Sequence, residues 1–160
     1  MKYAIVYSSK TGNTKMLADV IQQTLVEKDI IYFGQPDQKA LQADQIYIGF
    51  WTDKGRCNDE IVDFLKTVEN KNVFLYGTAG FGQDPAYFEK IIEKTKEYLK
   101  DSNVLIGTYM CQGKMPMSVR ARYEKMPHIP NIKKLIENFD QALNHPNKED
   151  LQQLKEKIVL

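Results

Sequence analysis

Apolar strand segments alternate with amphipathic helical segments along almost the whole chain, and that alternation builds an α/β fold with a parallel sheet covered on both faces. Two further observations sharpen it. The segment at 45–50, Gln45-Ile46-Tyr47-Ile48-Gly49-Phe50, is almost continuously apolar, as a strand buried on both faces requires. The first strand runs directly into a hydroxyl-rich loop and then a helix, the unit with which ligand-binding sheets of this class begin. The predicted fold is a doubly wound five-stranded parallel sheet of order 2-1-3-4-5, with right-handed crossovers and helices on both faces. Residues 1–160 are expected to form it as a single domain.

The first strand is predicted at 3–7, Tyr3-Ala4-Ile5-Val6-Tyr7, and the first helix shows Met16, Leu17, Val20 and Ile21 at helical spacing. A short strand follows at 30–33, closed by Gly34 and Pro36, and the third strand lies at 45–50. A helix from about 59 to 69 takes Ile61, Val62, Phe64, Leu65 and Val68 as its inner face. The fourth strand is 73–76. A Gly-rich loop separates it from a helix over 85–99, whose first position suits Pro85. The last strand spans 103–110. The remainder reads as helical, broken near Pro127 and Pro130, with Ile132, Leu135, Ile136, Phe139 and Leu143 on one face and a final segment around Leu151, Leu154 and Ile158.

In doubly wound sheets ligands sit at the carboxyl ends of the strands, at the switch point between the first and third. That rule selects the loops at 8–14, 50–58 and 77–83, with the exit of the last strand at 110–114 beside them. The first reads Ser8-Ser9-Lys10-Thr11-Gly12-Asn13-Thr14. Orphan backbone N–H groups point out of a helix N-terminus, the macrodipole favours an anion there, and hydroxyls complete its hydrogen bonds. A nucleoside triphosphate loop would need G-x-x-x-x-G-K-[ST], and a dinucleotide loop G-x-G-x-x-G; this loop holds a single glycine. A terminal monophosphate is the remaining ligand. The stretch Tyr7, Ser9, Gly12, Asn13, Thr14, Ala18, Ile21 resembles the phosphate loop of flavodoxins, which grip the phosphate of FMN.

That resemblance covers the whole chain as a pattern of elements and implies non-covalent FMN and electron transfer. An isoalloxazine ring is flat and apolar, so it is held between aromatic faces, each such pair worth roughly 0.5–1.5 kcal/mol beyond area burial. Phe50, Trp51, Thr52, Asp53 and Gly55 follow the third strand, and Thr78, Ala79, Gly80, Phe81, Gly82 and Gln83 follow the fourth. The second loop resembles that of short clostridial-type flavodoxins, in which Phe81 takes the place of the stacking aromatic. Flavodoxins also turn a peptide carbonyl toward the reduced flavin, and Asp53-Lys54-Gly55 is the candidate peptide. The loop departs from the family by its length and by Lys54 and Arg56, whose charges near the ring would favour an anionic reduced flavin. In the last loop Gln112 is a candidate for the ring's polar edge. Cys57 and Cys111 fall at the same end of the sheet, with Arg56 placed to lower the Cys57 pKa.

Composition excludes other classes. The formal charge is +1, with Lys and Glu intermixed, so no nucleic-acid footprint is visible, and neither cysteines nor histidines fall at metal-ligand spacing. No run is long enough to span a bilayer and the chain starts in a strand, so a cytoplasmic monomer without membrane partner is expected. Flavodoxins are usually strongly acidic, so this near-neutral chain puts their usual partners in question. Three functions are open. The first is an electron carrier serving a partner protein, a flavoprotein reductase or an acceptor enzyme. The second is an FMN-dependent NAD(P)H oxidoreductase acting on a quinone or other small acceptor, and the third a flavin-free binding module. The intact loop opposes the third; the lack of a second-nucleotide motif and short loops over the ring favour the first.

Overall fold

The structure, a computed structural model, describes residues 1–82 and 84–158, so Gln83 lies outside the described residues. Strands β1 (Lys2–Tyr7), β2 (Asp29–Gly34) and β3 (Gln45–Asp53) are joined through helix α1 (Asn13–Thr24) and a 3-10 turn at Gln38–Gln42. Then come β4 (Arg56–Cys57), α2 (Asp59–Leu65), β5 (Asn72–Ala79), α3 (Pro85–Lys96) and β6 (Val104–Gln112). Three helices close the chain: α4 (Met117–Glu124), α5 (Ile132–Ala142) and α6 (Lys148–Ile158).

The sheet runs β2-β1-β3-β5-β6 with every neighbouring pair parallel, which is the expected 2-1-3-4-5 order. The strand count differs by one. Beyond position 50 the third strand continues to Asp53, turns back, and pairs antiparallel with β4, setting Thr52 opposite Cys57 and Asp53 opposite Arg56. Lys54 (φ 56°) and Gly55 (φ 78°) make that two-residue turn, and two positive φ values match the twist of an antiparallel pair. A Lys-Gly pair is a weaker hairpin signal than Asn-Gly or Asp-Gly, so the sequence reads as a loop there.

Period-two alternation along the central strands divides the core. Ala4, Val6, Ile46, Ile48, Phe50, Val73 and Leu75 face α2 and α3, while Ile5, Tyr47, Phe74 and Tyr76 face α1 and α6. From α1 the buried side chains are Leu17, Ala18, Val20 and Ile21, whereas Met16, expected on the inner face, is 39% exposed. Two helices stop sooner than their apolar patterns. After α2, Thr67 and Val68 donate to the carbonyls of Phe64 and Leu65, and after α3, Tyr98 and Leu99 donate to those of Thr95 and Lys96. These i→i−3 bonds tighten the last turn, so Val68 is buried although the α-helix has ended. Among the described residues no helix is long and apolar enough to cross a membrane.

Candidate functional site

At the carboxyl end of β1 the chain turns into α1 through Gly12, whose φ of 89° is a left-handed conformation that glycine adopts without strain. Ser9 Oγ folds back over the helix start and accepts from the N–H groups of Gly12 at 3.1 Å and Lys15 at 3.3 Å. The first turn carries no acidic side chain, and among the described residues the N–H groups of Asn13 and Thr14 have no protein acceptor. The helix dipole and these free donors together favour an anion at this end.

Beside it opens a cleft of about 370 Å³, formed by the ends of β3, β5 and β6 and by the first-strand loop. Of the residues expected from sequence, Lys10, Thr11, Asn13, Trp51, Thr52, Gly55, Thr78, Ala79, Gly80 and Phe81 line it. Trp51 is half-buried with Lys10 Nζ 5.1 Å from its ring centroid. Phe81 is 40% exposed and meets Tyr87 edge to face, centroids 6.4 Å apart at 89°. Asn13 is buried; its Nδ2 donates to the Lys114 carbonyl at 2.8 Å, while its Oδ1 is buried without a partner. The cleft thus offers aromatic surface, an unfilled buried acceptor and an anion-binding helix start.

Other expected residues sit differently. Thr14 Oγ1 turns inward, donating to the Phe50 carbonyl at 3.1 Å and sharing a bond of 3.2 Å with Thr78 Oγ1, because position 14 already lies on the sheet-facing side of α1. Ser8 Oγ accepts from Asn58 Nδ2 at 2.9 Å in the interior. The Phe50 ring belongs to the core rather than to the cleft. Asp53 is in the β3–β4 hairpin and off the cleft wall. Gln112 Nε2 donates to the Gly80 carbonyl at 2.9 Å and to Asn138 Oδ1 at 3.2 Å, so this side chain braces the loop from behind. Gly82 packs on it: a Cβ there would lie 2.8 Å from Gln112 Cβ.

Tyr87, Met115 and Pro116 line the cleft without having been expected. The signal for Tyr87 is its place in the first turn of the helix after the Gly-rich loop; Met115 and Pro116 extend the exit of the last strand by two residues. Beyond Pro116 the chain continues into α4 and then α5, whose residues are not on the cleft wall. Arg120 ties these two helices, donating from Nε to Asp140 Oδ1 at 2.8 Å, and Asn138 of α5 donates to the Gly80 carbonyl at 3.1 Å.

Charge on the cleft wall is of one sign. Lys10, Lys54 and Lys114 line it and, among the described residues, no carboxylate does. Arg56, expected near the ring, turns away: its guanidinium donates to the Cys57 carbonyl at 2.6 Å, pairs with Asp59 at 2.9 Å and lies over Tyr98. Both thiols are buried and free. Burial pushes Cys57 up to about 11, against the opposing pull of the Thr95 hydrogen bond and Arg56, and burial raises Cys111 as well. Neither is the activated thiol that an adjacent arginine suggests.

An anion-binding helix N-terminus and an aromatic-walled cleft at the switch point of a 2-1-3-4-5 sheet define a doubly wound protein built for a phosphorylated, flat ligand. The flavodoxin-domain family model matches residues 4–159, and the chain belongs to the flavodoxin family. It is 38% identical to the flavodoxin-like domain-containing protein BilS of Clostridium symbiosum, the alignment covering 94% of this chain and 90% of that one. The BilS protein of Clostridioides difficile is 31% identical over the same shares. Among solved structures, the flavodoxin of Streptococcus pneumonia TIGR4 superposes with a TM-score of 0.58 at 15% identity, covering 99% of this chain and 97% of that one.

Proposed function

We propose that the protein is an FMN-binding electron carrier that exchanges electrons with a larger redox enzyme in the cytoplasm. The observation that carries the reading is the pairing of free N–H donors at the start of α1 with a buried, unpartnered Asn13 Oδ1 on the wall of an aromatic cleft. FMN fits these features. Its phosphate matches the helix start with the hydroxyls of Ser9 and Thr11, its ribityl hydroxyls match the Asn13 acceptor, and its ring matches the surfaces of Trp51 and Phe81.

Bound FMN supplies reversible one- and two-electron chemistry that no side chain here offers. The chain's own residues set its conditions. Trp51, Phe81, Met115 and Pro116 exclude water from the cleft, and Lys10, Lys54 and Lys114 favour added negative charge there. The Lys54–Gly55 peptide sits in a turn whose left-handed conformation lets a carbonyl be redirected toward the cleft. Purified protein scanned for visible flavin absorbance, then mixed with NADPH in a stopped-flow instrument with and without a flavoprotein reductase, tests the reading. Flavin reduction that needs the reductase is expected; rapid direct reduction by NADPH would replace the carrier by an oxidoreductase.

A further inference from the structure

The mouth of the cleft is more basic than the chain as a whole. Net formal charge is +1, yet among the described residues the charged side chains on the cleft are Lys10, Lys54 and Lys114, all exposed. The chain leaving the cleft continues the pattern. Residues 113–135 hold six Lys or Arg against one carboxylate, Glu124, so the rest of the chain is net acidic. Glu124 is occupied by Arg120, which also takes Asp140 from α5. Lys114, Arg122, Lys125, Lys133 and Lys134 then have no ion-pair partner among the described residues. The mouth also exposes apolar surface at Phe81, 40% exposed, and Met117, the residue after the lining Pro116, is 63% exposed.

We propose that this lysine-rimmed mouth is the docking face for a partner protein that presents a carboxylate-rich surface around its own redox group. The proposal rests on the carrier reading and names the partner's chemistry. An apolar centre inside a charged rim is the anatomy of a protein interface, and the rim's single sign steers an oppositely charged surface onto it. Electrons leaving the cleft at Phe81 would cross at the point where such surfaces meet. A nucleic acid would satisfy the charge but takes no electrons, so it is the competing occupant that the test must reject.

The test uses the full chain, 15N-labelled, titrated with cytochrome b5 as an acidic haem protein, with cytochrome c as a basic one, and with duplex DNA. Expected are amide shifts centred on Lys10, Lys54, Phe81 and Lys114 with cytochrome b5 alone, abolished by high salt. The double variant Lys54→Glu with Lys114→Glu should bind cytochrome b5 at least about tenfold more weakly. Lys28→Glu, just before β2 at the opposite end of the sheet, should bind as before. Absent shifts with cytochrome b5, equal shifts with cytochrome c, equally strong DNA binding at these residues, or unchanged affinity in the double variant would each overturn the proposal. Titrations run with FMN-loaded and FMN-free protein keep the two readings apart. A chain that takes up no FMN defeats the carrier and still reports the sign of the rim.

Discussion

Replacing Ser9 and Thr14 in turn separates a hydroxyl that can serve a ligand from one that serves the fold. Ser9 Oγ lies at the mouth of α1, 3.1 Å from Gly12 N and 3.3 Å from Lys15 N, where a bound phosphate would share the same donors. A hydrogen bond to a charged group is worth about 1.5–3 kcal/mol. Ser9→Ala should therefore weaken FMN by roughly ten- to hundred-fold, at about 1.4 kcal/mol per tenfold, and barely affect riboflavin, which lacks the phosphate. Thr14 is 1% exposed and its hydroxyl is held by the Phe50 carbonyl and Thr78. Thr14→Val leaves those two buried groups short of a partner, a cost of about 1–3 kcal/mol. That lowers Tm by roughly 3–9 °C in a chain of this size and weakens both flavins alike. Calorimetric titration with FMN and with riboflavin, and a thermal melt of each variant, read both effects. Equal losses of the two flavins in Ser9→Ala, or a selective loss of FMN in Thr14→Val at unchanged Tm, would refute the assignment.

Adding FMN to apoprotein should quench Trp51 emission strongly, and Phe81→Ala should loosen the flavin without lowering Tm because that ring is 40% exposed; full emission at saturating FMN would place the ring elsewhere. Cys57, held at about 11 against an ordinary 9.0, and Cys111, also raised, should resist a thiol reagent until the protein unfolds. The native state then binds these protons more tightly than the unfolded chain, so their contribution to stability is intact below about pH 9 and is lost as pH rises toward 11, which urea melts across that window would show. Gly113→Ala sets a Cβ 2.5 Å from Asn13 Nδ2, which is tied to the Lys114 carbonyl, so a loss of about 1–3 kcal/mol by chemical denaturation and weaker FMN binding are expected together.

Much of this was readable from residues because the physics that selects them is local. Strands buried on both faces need unbroken apolar runs, and an anion at a helix start needs a glycine with positive φ among small hydroxyls; both leave marks at fixed spacing. Helix α4 leaves none. It buries no side chain, so no apolar period marks its ends. Side-chain direction was also hidden. Thr14 and Ser9 look equivalent in a hydroxyl-rich loop, and only the docking of α1 on the sheet decides that one faces inward. Arg56 stands beside Cys57 in the chain, but a strand places successive side chains on opposite faces, and the charge is spent on Asp59 and Tyr98.

The boundary between core and site falls between two consecutive rungs of the β3–β5 ladder. Gly49 pairs with Tyr76 and Phe50 with Gly77, and each aromatic ring lies over the glycine across from it, in space that a Cβ would claim. Tyr76 and Phe50 are fully buried on opposite faces of the sheet, and Tyr76 reaches β1 by donating to the Val6 carbonyl at 2.8 Å. Large rings therefore fill both faces up to this rung. The next rung pairs Trp51 with Thr78, and both line the cleft. Because side chains alternate, Trp51 cannot share the face that Phe50 fills, and past that rung α1 has already begun at Asn13, leaving the strand ends uncovered. The glycines at 49 and 77 thus keep the two largest fully buried side chains inside the sheet layers. What is left at the carboxyl ends is one tryptophan, small side chains and the start of a helix, which is the space and chemistry that a flat phosphorylated ligand needs.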